Sequence, residues 1–165
     1  MKLPVEVLQP EKFTSFGTII EQPSRTADGG GSGWQWWHEL AQLAGGDRPY
    51  AIGCLNLQPS PLRFGWAERH MLSDELIVPL GEECLVYVAP NQYPDEPGKL
   101  PPLEDFRVFR LRRGQAVLLK PGVWHGAPLA IDAPLNALVV LLHNTGKQDT
   151  YIVRFEDQAI EILGG

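Results

Sequence analysis

The sequence predicts an all-β fold, a jelly-roll barrel with a short N-terminal helix. Seventeen glycines and fifteen prolines punctuate 165 residues at short intervals, which suits short strands joined by tight turns. Strand-like segments recur at 51–57, 62–70, 75–79, 84–89, 106–111, 115–120, 126–131, 137–142, 150–155 and 159–163. Most gaps between them are too short for the helical crossover of a parallel pair, so mainly antiparallel pairing is expected. The length and the 44% apolar content fit one core and one domain over residues 1–165.

The other elements follow in chain order. Residues 10–17 carry Pro10 at a helix start, Phe13 and Phe16 three apart on one face, and Gly17 where the chain must leave the helix. Residues 23–33, rich in Gly, Ser, Thr and Asp, have too little apolar surface to offset ordering and read as a mobile loop. Trp34, Trp36 and Trp37 follow at once, too much aromatic surface to leave in water, so they read as a core plug, a dimer contact or a substrate-stacking wall. Five prolines in residues 90–105 mark a long connection between two halves of the fold, as in a double-sheet jelly roll.

Composition excludes several functions. A net charge of −6 and no Lys/Arg-rich run leave no cationic face for a phosphate backbone, so no nucleic-acid partner is expected. No apolar run has the length of a membrane span and the N-terminus lacks a signal peptide's apolar stretch, which points to the cytoplasm and no membrane partner. Cys54 and Cys84 form no CxxC pair and read as small buried hydrophobes.

The chemistry concentrates in two segments. In Leu62–His70, alternation puts Leu62, Phe64, Trp66, Glu68 and His70 on one face of a strand. A carboxylate and an imidazole ending an apolar face are costly to bury unless hydrogen-bonded or metal-bound, so Glu68 and His70 mark a polar site at a barrel mouth. Glu75 opens the next strand, and Lys120-Pro121-Gly122 turns the chain to deliver Trp124 and His125. His70, Glu75 and His125 are a candidate ligand set for a divalent metal such as nickel, zinc or manganese, with open positions for substrate. His143 reads as a capping or surface residue.

Pro121-Gly122-x-x-His125 is similar to the second cupin motif, and Glu68-x-His70-x4-Glu75-x5-Gly81 to the first, with Glu68 where the first metal histidine usually stands. Over residues 1–160 the chain more closely resembles the ureidoglycolate lyase family, itself cupin-like. The resemblance rests on Glu68-Arg69-His70-Met71-Leu72, Ile77-Val78-Pro79-Leu80-Gly81, Gly122-Val123-Trp124-His125, Phe13-x-x-Phe16-Gly17 and His38-Glu39-Leu40-Ala41. It implies a cupin-like double-stranded β-helix, a homodimer that would hide the Trp cluster, and cleavage of ureidoglycolate to glyoxylate and urea. It also implies Glu68 or His70 as base and His125 as acid, unless the histidines hold a metal instead. His38, Asn56, Glu75, Lys120 and Trp124 are then candidate substrate-binding residues. The chain departs from the family at Gly126, Leu119 and Glu75, and Asn56 stands near a missing basic residue suited to gripping a carboxylate. Two other readings stay open, a metal-dependent cupin acting on another small hydroxy or keto acid, and a non-catalytic sugar- or acid-binding cupin.

Overall fold

A computed structural model describes residues 1–44, 47–155 and 158–164. The chain opens with β1 (Lys2–Val7), one turn of helix α1 (Pro10–Phe13) and β2 (Gly17–Ile20). A small hairpin, β3 (Gly29–Gly31) and β4 (Trp34–Trp36), precedes β5 (Tyr50–Leu57). Then come β6 (Arg63–Phe64), β7 (Trp66–Arg69), β8 (Glu75–Leu80) and β9 (Cys84–Ala89). After the Pro-rich connection follow β10 (Arg107–Leu111), β11 (Ala116–Leu119), β12 (Trp124–His125), β13 (Leu129–Ala130) and β14 (Leu135–Leu142). Helix α2 (Thr145–Gln148), β15 (Tyr151–Arg154) and β16 (Ile160–Leu163) end the chain.

The strands form two curled sheets that close on one apolar interior, the all-β barrel expected. One sheet has the order β2-β11-β8-β14-β5; the other runs β15-β7-β12-β9-β10-β1-β16-β6, with β13 also on β9. Pairing is antiparallel as expected, with one exception: β1 lies parallel to both β10 and β16. The long sequence separation between those partners removes the short-connection constraint that favours antiparallel neighbours.

Two apolar layers flank the larger sheet. Inside the barrel, Phe13, Ile77, Val86, Val88, Phe109, Val117 and Ala137 form one cluster. On the outer face, Phe64, Ala67, Tyr87, Phe106, Trp124, Phe155 and Ile160 form the second. The helical turn predicted at 10–17 exists for the first layer: Phe13 and Phe16 point inward, and the Phe13 ring meets Phe109 edge-on at 5.3 Å. Gly17 then starts a strand rather than capping a helix, because a Cβ there would lie 2.0 Å from the Leu118 carbonyl oxygen.

Three expectations change. Part of the Gly-rich stretch is strand: Gly29–Gly31 pairs with Trp34–Trp36, and the Trp34 indole lies close over Gly31, where a Cβ would come within 2.7 Å of its nitrogen. The tryptophans are no core plug, since Trp34 and Trp36 are 59% and 56% exposed. Cys84 is buried and its thiol is pushed up to about 12 by desolvation, but Cys54 is exposed. Strand alternation turns Cys54 to the outer face of the smaller sheet while Leu55 and Leu57 face the core.

Phe109→Ala removes the ring on which Phe13 and Phe16 close. It should destabilise the protein by about 3–5 kcal/mol, read as a lower midpoint in urea denaturation; a loss near zero would mean that the aromatic trio does not organise the interior.

Candidate functional site

Register brings the two motifs together. In the β7–β12 pair, His125 lies directly opposite Glu68, and residues opposite each other share a face. That face looks into the barrel, because the next partner of His125 is Val88 of the inner layer. Glu75 arrives from the other sheet, where its partner Leu119 is also an inner-layer residue. His70 follows the end of β7. Donor atoms of Glu68, His70 and His125 all lie within 4.8 Å of one another.

Glu75 is the hub. Its Oε2 stands 2.8 Å from His125 Nε2 and 3.0 Å from His70 Nε2, and all three residues are buried. On the far side of each ring, Nδ1 faces a backbone carbonyl: Val123 O for His125 and Asp149 O for His70, both at 2.9 Å. A carbonyl only accepts, so each Nδ1 carries a hydrogen, and Nε2 is the nitrogen turned toward the carboxylate. Burial disfavours charge on either partner, yet the adjacent imidazoles hold Glu75 well below the usual carboxylate range. Against the same desolvation, Glu75 raises His125 to about 9. In the absence of a metal, the pair is therefore an imidazolium and a carboxylate.

The same donors fit a divalent cation. Two imidazole nitrogens freed by tautomer and a carboxylate oxygen at 2.8–3.0 Å from them match adjacent positions on one ion, which with bonds of about 2.1 Å lie about 3 Å apart. Glu68 brings a second carboxylate to the rim, half-buried and without a hydrogen bond to a described side chain.

Alternate residues of the two motifs lock the strands from behind. Arg69, between Glu68 and His70, points away from the site and is fully buried. Its guanidinium lies 4.6 Å above the Trp124 ring. It donates to Pro97 O, Tyr93 O and Glu96 O and to Asn91 Oδ1, at 2.6–2.9 Å. Asn91 packs on Gly122, where a Cβ would lie 2.0 Å from its Nδ2, and the Gly122 N–H donates to His70 O at 2.6 Å. The Pro-rich connection, β7 and the turn before His125 thus form one clamp. Sequence reading missed Arg69, because alternation puts it on the strand face opposite the one read as apolar, and only the packing of Trp124 and the Pro-rich connection buries it.

Four predicted substrate-binding residues lie elsewhere. Trp124 is 0% exposed in the outer layer under Arg69, because β12 turns alternate residues to opposite faces. Asn56 faces outward from β5 and bonds Asn136 at 3.0 Å. Lys120 is exposed at the opposite end of β11 from Ala116 and donates to Thr14 O at 2.6 Å. His38 is exposed beside the hairpin, its backbone N–H on Asp28 at 3.0 Å. His143 is an exposed residue after β14, as expected. The departure at Gly126 has a steric cause, since a Cβ there would lie 1.7 Å from the Tyr87 hydroxyl, which donates to Trp66 O at 3.1 Å. Leu119 is a member of the inner layer.

Metal-free protein should show the sign of this ion pair. His125, raised from 6.5 to about 9, contributes stability that is complete below pH 6.5 and is lost as pH climbs through about 9. Glu75, lowered from 4.5, contributes stability that is complete above that pH and is lost in acid. The melting temperature should fall between pH 6.5 and 9 in wild type and fall less in His125→Gln; identical slopes would remove the pair.

The ureidoglycolate lyase family profile matches residues 1–162. A ureidoglycolate lyase of Azotobacter vinelandii is 35% identical over 137 residues, 78% of this chain and 78% of that protein. One of Pseudomonas syringae is 34% identical over 146 residues, 84% and 82% of the two chains. Among solved structures, a dTDP sugar isomerase from Desulfovibrio desulfuricans aligns with a TM-score of 0.46 and 18% identity over 86% of this chain and 84% of that one.

Proposed function

This chain belongs to the ureidoglycolate lyase family, and from that membership we propose that it cleaves ureidoglycolate to glyoxylate and urea at the Glu68, His70, Glu75 and His125 cluster. The observation that carries the reading is Glu75 held between two Nε2 atoms with Glu68 beside them. The reaction needs one proton taken from the hydroxyl and one given to the departing nitrogen. As the carbon–oxygen bond becomes a carbonyl, the carbon–nitrogen bond breaks with its electron pair leaving on urea.

Glu68 is the group best suited to move that proton. Both Nε2 atoms are committed to Glu75, while the Glu68 carboxylate is half-buried and uncommitted to any described side chain. It takes the hydroxyl proton and returns it to the urea nitrogen, so the enzyme ends unchanged. His70, Glu75 and His125 would hold a divalent ion such as nickel, zinc or manganese, which leaves Glu68 free for the proton. When bound, that ion supplies Lewis-acid polarisation of the substrate's oxygens. The histidines then orient the substrate and do not shuttle protons.

A homodimer is the second part of the proposal. The register of the smaller sheet puts Ile52, Val140 and Leu76 in one outward row and Cys54, Leu138 and Val78 in the next. Ile52 is 74% exposed, and Leu40 and Ile20 extend the same face. A symmetric copy on this surface would cover it.

Purified protein given ureidoglycolate should release glyoxylate and urea in equal amounts. Glu68→Gln should lower kcat by about 10²–10⁴-fold with unchanged melting temperature, and a chelator should reduce the rate until metal is restored. No glyoxylate from wild type supplemented with nickel, zinc or manganese in turn would sink the assignment. Light scattering should give twice the chain mass for wild type and the single mass for Ile52→Asp; a monomeric wild type removes the dimer.

A further inference from the structure

His70 is held from behind by a residue outside both motifs. Asp149 is buried where α2 runs into β15. Its carboxylate accepts two successive backbone N–H groups, Met71 on Oδ1 at 2.9 Å and Leu72 on Oδ2 at 2.8 Å. Its main-chain carbonyl accepts the His70 Nδ1–H at 2.9 Å. One residue therefore grips the loop from His70 to Glu75 and the imidazole together.

We propose that Asp149 is a positioning residue that commits His70 to the Nδ1–H tautomer and so aims Nε2 into the cluster, an inference that rests on the functional reading above only for its kinetic consequence. Among the described residues both groups bonded to Nδ1 accept. Besides the Asp149 carbonyl there is Thr150 Oγ1 at 3.3 Å, whose own hydrogen goes to Thr145 O at 3.1 Å. Such outer partners orient ligating or proton-moving histidines and set which nitrogen is free.

The carbonyl can do this only if Asp149 is fixed, and a closed chain of bonds fixes it. The Asp149 N–H donates to Thr145 O at 2.8 Å. Thr145 Oγ1 donates to Leu142 O at 2.7 Å, and the Leu142 N–H donates to Ser73 Oγ at 2.9 Å. Ser73 belongs to the loop that the Asp149 carboxylate grips from its other end. The side chain needs two oxygen acceptors, since an amide at this position offers one oxygen and sets an NH2 group against the second backbone N–H.

The test compares wild type with Asp149→Asn. Long-range proton–nitrogen NMR of ring-labelled histidine, assigned with His70→Gln, should show His70 protonated at Nδ1 in wild type and shifted toward a tautomer mixture in the variant. Nickel affinity, titrated alone, should weaken about 10–100-fold, and kcat should fall by a similar factor with KM little changed. Ile160→Val in the outer layer serves as a control for general loss of stability and should alter neither the nitrogen shift nor the affinity. If Asp149→Asn does not fold, the same readings are taken on Asp149→Ser, which keeps one acceptor. A folded variant with the wild-type His70 spectrum and nickel affinity overturns the proposal. A wild type that turns over no ureidoglycolate leaves the spectral and affinity readings intact and counts against the functional reading alone.

Discussion

A carboxylate buried between two imidazoles constrains everything around it. Ionised Glu75 inside a barrel of Ile77, Val88, Val117 and Leu119 would cost several kcal/mol unless partnered. Its partners come from two strands of the opposite sheet. The contact therefore requires both sheets, the turn before His125 and the loop after β7 to be in register at once, and much of the remaining architecture meets that requirement.

The two motifs are best understood as alternating functions along one backbone. Glu68, His70 and His125 face inward to the chemistry, while Arg69 and Trp124 face outward and stack on each other. Burial strips the Arg69 guanidinium of water and lowers its pKa, and four oxygen acceptors with an aromatic face offset that loss. Arg69 spends that bonding on the Pro-rich connection, so a segment that looks like a linker braces the β7–β12 pair. A change of Arg69 would act on the site although no atom of it faces the reaction.

The family match spans the whole stretch that carries the cluster. The departures at Gly126 and Leu119 are structural substitutions, the first accommodating Tyr87 and the second filling the interior. Neither removes a donor from the cluster. Among the described residues the candidate replacements for a cationic carboxylate grip, Asn56 and Lys120, are engaged elsewhere.

The all-β class, most strand positions and the convergence of Glu68, His70 and His125 were legible in the chain because alternation and turn residues are local properties. The resemblance also placed Trp124 at the site, where strand alternation turns it away, and local rules left Cys54 buried. Which face a short strand turns inward, and whether an adjacent residue shares it, depends on partners distant in sequence. Asp149 illustrates the limit, since nothing around it signals a role and its contacts cross 77 to 79 positions. The sequence by itself determined the elements and the types of donor available; only the tertiary structure decided which donors meet, because burial and hydrogen-bond pairing are settled between strands rather than within them.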